Sequence, residues 1–449
     1  MKRILKSIFA VAAILLLPIS SFAGEEDVRM LKERIEMLEK RSDDLEKELR
    51  QEHKPLLKEM SEHISSMERD LDMVDYRTAR IKALTEKTEA FSIGGDLSLF
   101  LQGIGSNSQD FGTKADVSYS GDLFLIAPVG PYGNIYFRGD IGQGEGIAPS
   151  LPNTFSGPNA DLEFNEPKFD VAEAWYFTEF PFPDVRDKRL ELTVGKIDPT
   201  GLFDANAAAN SETNQFIADI FVNNAAIEFG GDANGYGAGI SAAYRFTSIY
   251  NKGLNVSGRI GMFEGDGDFK DALDNPFLIG ELGIRMPYYG LIGNYRFYVW
   301  QNRTAHTDLM DSSKNDLVNQ GLGFSLDQQV SSNMTLFARY GIQDKDVSRN
   351  DYVFSLGGQI IGNNWKRGND VLGFAYGASH VNSKYRDVSS TLDGYEADTE
   401  YEHYMEAYYK YWANKNLTVS SDFQYIANPG GDSRKNSIFI YGIRMQVTF

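Results

Sequence analysis

The sequence predicts an all-β transmembrane barrel of about 16 antiparallel strands, with 18 also compatible, preceded by an α-helical coiled coil. Three observations carry that prediction. The chain opens on a secretory start, a heptad stripe follows, and period-two alternation then runs from about residue 90 to the last residue.

Lys2, Arg3 and Lys6 give a basic start, residues 8–17 are apolar, and Ser21-Phe22-Ala23 offers a small-x-small cleavage site. Residues 1–23 therefore read as a signal peptide cut before Gly24. An uncleaved anchor is the alternative, but its apolar run is shorter than the roughly 20 residues a spanning helix needs. No later segment is apolar for long enough to span as a helix, so the exported chain is soluble or crosses a membrane as a barrel. With no Cys, disulfides, a lipid-modified N-terminal Cys and thiol catalysis are all excluded.

Residues 24–90 read as a periplasmic coiled coil. Val28, Leu31, Ile35, Leu38, Leu45, Leu49 and Leu56 fall at heptad spacing, with Ser42 and Glu52 filling two seam positions. After Leu56 the phase slips by one residue, with Pro55 at the break, and Met60, Ile64, Met67, Leu71, Val74, Ile81 and Leu84 continue the seam. A lone helix would leave this stripe in water, so the seam predicts a homo-oligomer, with a trimer favoured because trimers suit side-by-side barrels. A hairpin folding back at Pro55 is the alternative.

Residues 91–449 carry the barrel. The clearest strand is the last: Phe439, Tyr441, Ile443, Met445, Val447 and Phe449 alternate with Ile440, Gly442, Arg444, Gln446 and Thr448. One face meets lipid and the other water. Similar alternation occupies residues 334–340 and 417–425. The abundance of 43 Gly, 24 Tyr and 29 Phe suits half-wet strands girdled by aromatics, although a large soluble sandwich shares it. Roughly 22 residues per strand and connection give about 16 strands, too many for wall side chains to fill the lumen. Net charge of -19 argues against nucleic acid or other polyanions as cargo.

Several blocks carry a resemblance: Glu173-Ala174-Trp175-Tyr176, then residues 192–200 (LTVGKIDPT), Phe203-Asp204-Ala205-Asn206, residues 210–224 (NSETNQFIADIFVNN) and residues 322–340 (LGFSLDQQVSSNMTLFARY). Residues 355–359, 370–377 and 424–431 continue it in the same order. This part of the chain resembles the OprB-type carbohydrate-selective porins. The resemblance implies a passive sugar-permeable channel in the outer membrane, in contact with its lipid and with no cofactor. The coiled coil departs from the simplest members and looks more like envelope-tethered porins, in which a periplasmic module precedes the barrel.

Selectivity in a channel comes from the groups lining its narrowest section. Residues 196–224 are the candidate, mixing Lys196, Asp198, Asp204, Asn206, Asn210, Glu212, Asn214, Asn223 and Asn224 with Phe203, Phe216 and Phe221. Carboxylates and amides exchange hydrogen bonds with sugar hydroxyls, and aromatic faces stack on sugar C–H surfaces. A free carboxylate at Asp204 would also concentrate cations. The bland reading is a strand-loop-strand unit packed for stability. Arg138, Glu173, Arg296, Arg339, Lys410 and Arg444 form a second set on the polar phase of their strands, and their bland reading is solvated wall charge.

Glu264, Asp266 and Asp268 alternate as oxygen ligands would, but without the remainder of a Ca²⁺ loop, so an acidic turn is the simpler reading and no metal site is assigned. Nothing reads as a nucleophile elbow, a Ser/His pairing or a paired-carboxylate signature, so no enzyme is expected. Compatible with the channel is a structural tether, in which the coiled coil holds the outer membrane to the cell wall and the barrel is a general, weakly selective pore.

Overall fold

The computed structural model describes residues 91–449 except 106–114, 131, 152, 162–165, 182–187, 233–234, 248–253 and 271–273. The signal peptide and the coiled coil expected for residues 1–90 lie outside the described residues.

Sixteen strands close into one antiparallel barrel, each paired with its sequence neighbours. They are β1 (Ser92–Ile104), β2 (Ala115–Val129), β3 (Gly133–Gln143), β4 (Lys168–Pro181), β5 (Lys188–Ile197), β6 (Gly237–Thr247), β7 (Asn255–Phe263) and β8 (Phe277–Tyr288). β9 (Leu291–His306), β10 (Leu317–Ser331), β11 (Met334–Gln343), β12 (Asn350–Gly362), β13 (Arg367–Val381), β14 (Tyr401–Asn414), β15 (Leu417–Ala427) and β16 (Ile438–Thr448) complete it. Among the described residues no helix is long and apolar enough to cross a membrane, and the crossing is made by strands.

Closure joins β1 to β16 from Asp96↔Thr448 to Ile104↔Ile440. Phe449 adds a reciprocal backbone pair with Gly95 at 3.0 and 3.1 Å, so the terminal aromatic residue belongs to the seam. A closed sheet leaves no edge N–H or C=O facing lipid, which is why so little apolar sequence can cross a bilayer.

Side chains follow the alternation. On β16, Phe439, Tyr441, Ile443 and Met445 are exposed outward while Ile440, Arg444 and Gln446 are buried inward. Leu97, Leu99 and Leu101 on β1 extend the same lipid-facing surface. Exposed Tyr132, Phe180, Tyr288 and Tyr289 stand near the short turns, as an interfacial aromatic girdle requires.

One end of the barrel has short turns, such as Tyr289-Gly290 and Ser332-Asn333, and the other has long connections. Two of these, the described parts of the connections from β3 to β4 and from β5 to β6, fold into the lumen. They bring an apolar core with them: Phe216, Ile220, Phe221 and Ala226 pack against Phe337, Val353, Ala375, Tyr404 and Tyr408 of β11–β14. Wall glycines admit this packing. A Cβ at Gly341 would stand 2.5 Å from Asn224 Oδ1, and one at Gly377 2.9 Å from Ile220 Cδ1.

Candidate functional site: the luminal constriction

The connection from β5 to β6 starts at Asp198, whose carboxylate accepts from Thr200 N (2.7 Å) and Oγ1 (2.6 Å) and turns the chain off the strand at Pro199. The segment then crosses the lumen and touches the wall strand by strand. Asn206 Nδ2 donates to Ser325 Oγ and Leu326 O on β10, both at 3.1 Å. Gln359 Nε2 on β12 donates to Ala208 O at 2.7 Å. Glu406 on β14 accepts from Ile217 N (2.7 Å) and Ala218 N (2.9 Å). Arg444 on β16 donates to the carbonyls of Glu212 (2.5 Å) and Gln215 (2.9 Å).

The hub is Asp204, one of few non-glycine residues with positive φ, at 56°. Left-handed backbone suits Asp and Asn better than other side chains. Its carboxylate accepts from Asn224 N (2.7 Å), Tyr298 OH (2.9 Å) and Arg339 Nε (3.0 Å). The Arg339 guanidinium also donates to Phe221 O (2.7 Å), Asp204 O (2.9 Å) and Asn210 Oδ1 (3.0 Å). Both side chains are closed to solvent, 0% exposed for Asp204 and 1% for Arg339. The pair therefore pins the segment to β9 and β11 from within, each charge held by several donors or acceptors, as a buried ion pair requires.

A second luminal segment, missed from sequence, lies beside the first. Phe155 N (2.8 Å) and Gly430 N donate to the Glu402 carboxylate, and Gln424 Nε2 donates to Pro158 O (2.8 Å). It joins the first segment through Ala160 N to Ile217 O (2.8 Å), Asp219 N to Gly157 O (3.1 Å) and Gly157 N to Asp219 Oδ2 (2.9 Å). Asp219 opens the short helix α1 (Asp219–Val222). Burial pushes its carboxyl up to about 6 despite the Gly157 bond, with Glu212 repelling the charged form. Because the folded value exceeds the ordinary 3.8, docking strengthens as pH falls from about 6 toward 3.8.

The expected site residues thus divide. Asp198, Asn210, Glu212, Asn214 and Asn223 line a cavity of about 210 Å³ under the segment, facing Asp96, Asp122, Tyr136 and Arg138 of the wall and Tyr236. Lys196 pairs with Asp232 at 2.9 Å. Phe203, Asp204, Asn206 and Phe216, expected against the solute, are instead fully buried, and Asn224 is nearly so. The reason is local. Asn206 and Asn224 hold the turns that follow them, accepting from Ala208 N (3.0 Å) and Ala226 N (3.1 Å), and the two Phe rings fill apolar contacts under the segment. The Asp204 carboxylate is instead paired with Arg339 inside the protein.

Of the wall charges, Arg138 contacts Glu173 (3.2 Å), Asp140 (3.3 Å) and Asp122 (3.6 Å), and Arg296 contacts Asp327 (3.4 Å). Glu173 also accepts from Trp175 Nε1 at 2.9 Å. Lys410 shares the inward phase of β14 with Glu402, Glu406 and Tyr408. Glu264, Asp266 and Asp268 meet with oxygens within 4.8 Å of one another, Glu264 accepting from Ala238 N (3.4 Å) and Phe269 N. The polar, inward alternation of Glu402, Tyr404, Glu406 and Tyr408 was visible in the sequence, but nothing there named their partners.

Comparison with known proteins follows the fold. OprB of Pseudomonas putida, in a structure at high pH, is 17% identical over 84% of this chain and 97% of that one, with a TM-score of 0.64. Its low-pH structure gives 16%, 84%, 97% and 0.48. The outer-membrane channel DcaP of Acinetobacter baumannii gives 13% identity over 80% of this chain and 97% of that one, with a TM-score of 0.45. No curated protein matches. The model of the carbohydrate-selective porin OprB family matches residues 63–449, spanning every strand and both luminal segments, and the chain belongs to that family.

Proposed function

We propose that sugars cross this outer-membrane porin past the face of the luminal segment that carries Asn210, Glu212, Asn214 and Asn223, opposite Arg138 and Asp122. The observation that carries this reading is the cavity of about 210 Å³ between that face and the β1–β3 wall. Its rim mixes amides, carboxylates, a guanidinium and phenols. Such groups exchange hydrogen bonds with hydroxyls in either direction, and opposed acidic and basic groups orient a dipolar neutral solute. Passage is passive, and the reading is of a channel rather than an enzyme.

The test is single-channel conductance with and without glucose. Asn210→Ala, Glu212→Ala and Asn223→Ala are expected to raise conductance and weaken sugar block together, whereas Thr418→Ala, a wall substitution, leaves both unchanged. Parental behaviour in all three removes the segment from solute selection.

Residues 24–90 support a second role beside the channel: a homo-oligomer, trimer favoured, built through coiled coil and barrel, with cell-wall contact. The heptad seam carries this proposal. Deleting residues 24–90 is expected to leave a folded barrel with fewer protomers per particle in detergent, and an unchanged number of protomers refutes assembly through the seam. Retention of the isolated segment on cell-wall sacculi would make the tether its main task.

A further inference from the structure

A recess with a different electrostatic character adjoins the first cavity at Gly201, toward the short turns. It encloses about 140 Å³ and receives four arginines from four consecutive strands: Arg245 (β6), Arg259 (β7), Arg285 (β8) and Arg296 (β9). Glu281 is the carboxylate that lines it. Two further carboxylates lie behind the arginines. Glu191 stands 2.6 Å from Arg245 and 3.3 Å from Arg259, and Asp327 stands 3.4 Å from Arg296.

The layering decides what the recess presents. Glu191 and Asp327 are 3% and 2% exposed, whereas Arg245, Arg259 and Arg296 are 31%, 11% and 19% exposed. Guanidinium groups therefore stand between the buried carboxylates and the water. The anions behind fix the forks in place, and the Arg259 guanidinium also lies over the Phe203 ring at 6.0 Å. A preorganised guanidinium fork matches an oxyanion in two parallel hydrogen bonds, and low-dielectric walls focus its field into the recess. The neighbouring cavity has the opposite balance, with Asp96, Asp122, Asp198 and Glu212 against Arg138.

We propose that this recess is a second solute subsite, taking the oxyanion of a sugar-sized polyol: the carboxylate of a sugar acid or the phosphate of a sugar phosphate. The proposal rests on reading the barrel as a sugar channel, and adds a class of sugar to it. Glu281, which lines the recess, also accepts from Asp204 N (2.9 Å), so the subsite is tied to the hub of the luminal segment.

The experiment uses the full-length protein in planar bilayers at low salt, with glucuronate, glucose 6-phosphate or glucose added on the short-turn side. Stronger current block by the anions than by glucose is expected, weakening as KCl rises. Block by glucuronate alone assigns a carboxylate, by glucose 6-phosphate alone a phosphate, and by both an oxyanion without preference. Arg259→Gln and Arg285→Gln should each weaken anion block by roughly threefold to tenfold, the loss of one charge-assisted contact in a partly hydrated site. Each should also shift ion preference toward K⁺. The two lie on separate strands, so failure of one variant to fold leaves the other to decide. Anion block no stronger than glucose block in the parent, or unchanged in the folded variants, overturns the subsite. Failure of glucose to enter liposomes alongside intact anion block overturns the neutral-sugar reading instead.

Discussion

Replacing Arg339 with Ala is expected to destabilise the barrel by about 3–5 kcal/mol and to raise single-channel conductance at once. The energy is that of leaving a buried charge without its partner. Asp204 is 0% exposed and would keep Asn224 N and Tyr298 OH as donors, but no cation. The carbonyls of Phe221 and Asp204 would lose their donor as well. Urea unfolding in detergent micelles reads the stability, and bilayer recording reads the pore. Asp204→Asn keeps the left-handed backbone favourable but sets an amide NH2 against one of the donors Asn224 N, Tyr298 OH and Arg339 Nε, so its loss combines the charge with one acceptor. In a double-mutant cycle with Arg339→Met the two losses should fall well short of additive. Additive losses, or an unchanged pore, would show that the pair does not hold the constriction.

Glu406→Ala is expected to free the middle of the segment. Two buried backbone donors, Ile217 N and Ala218 N, would lose their acceptor, at about 1–3 kcal/mol each. Their amide hydrogens should exchange faster while those of the β14 ladder stay protected, and open-channel noise should rise. Uniform exchange across β14 would indicate damage to the wall rather than release of the segment. Arg339 and Glu406 hold the segment from different strands, β11 and β14.

Much of this fold was legible in the sequence because a barrel strand writes its two environments into alternate residues. Residues 439–449 show lipid and lumen faces directly, and Arg138, Arg296, Arg339, Lys410 and Arg444 all lie on the inward phase expected of them. The strand number followed from length, and 16 is the number found. Composition marks out residues 196–224, and that segment does enter the lumen. What composition could not separate was the role of each polar group. Asn206 and Asn210 look alike in sequence, yet one closes a turn against β10 while the other lines the cavity. The difference depends on partners about 120 residues away, such as Ser325 and Arg339. The segment from β3 to β4 escaped notice for the same reason, since its acceptors and donors on Glu402 and Gln424 are more than 240 residues distant. The arginine recess is likewise an effect of register, which sets side by side four arginines that sequence spreads across residues 245–296.

Liposome swelling tests the central claim, that this barrel is a sugar-selective passive channel, most directly. Purified full-length protein is reconstituted and challenged with mono- and disaccharides of graded size, with amino acids of matching size, and with salts of equal osmolality. Neutral monosaccharides and disaccharides are expected to enter faster than amino acids and salts of comparable size, at rates that fall with sugar size. Equal rates for all solutes of one size would contradict it and leave a general, unselective pore.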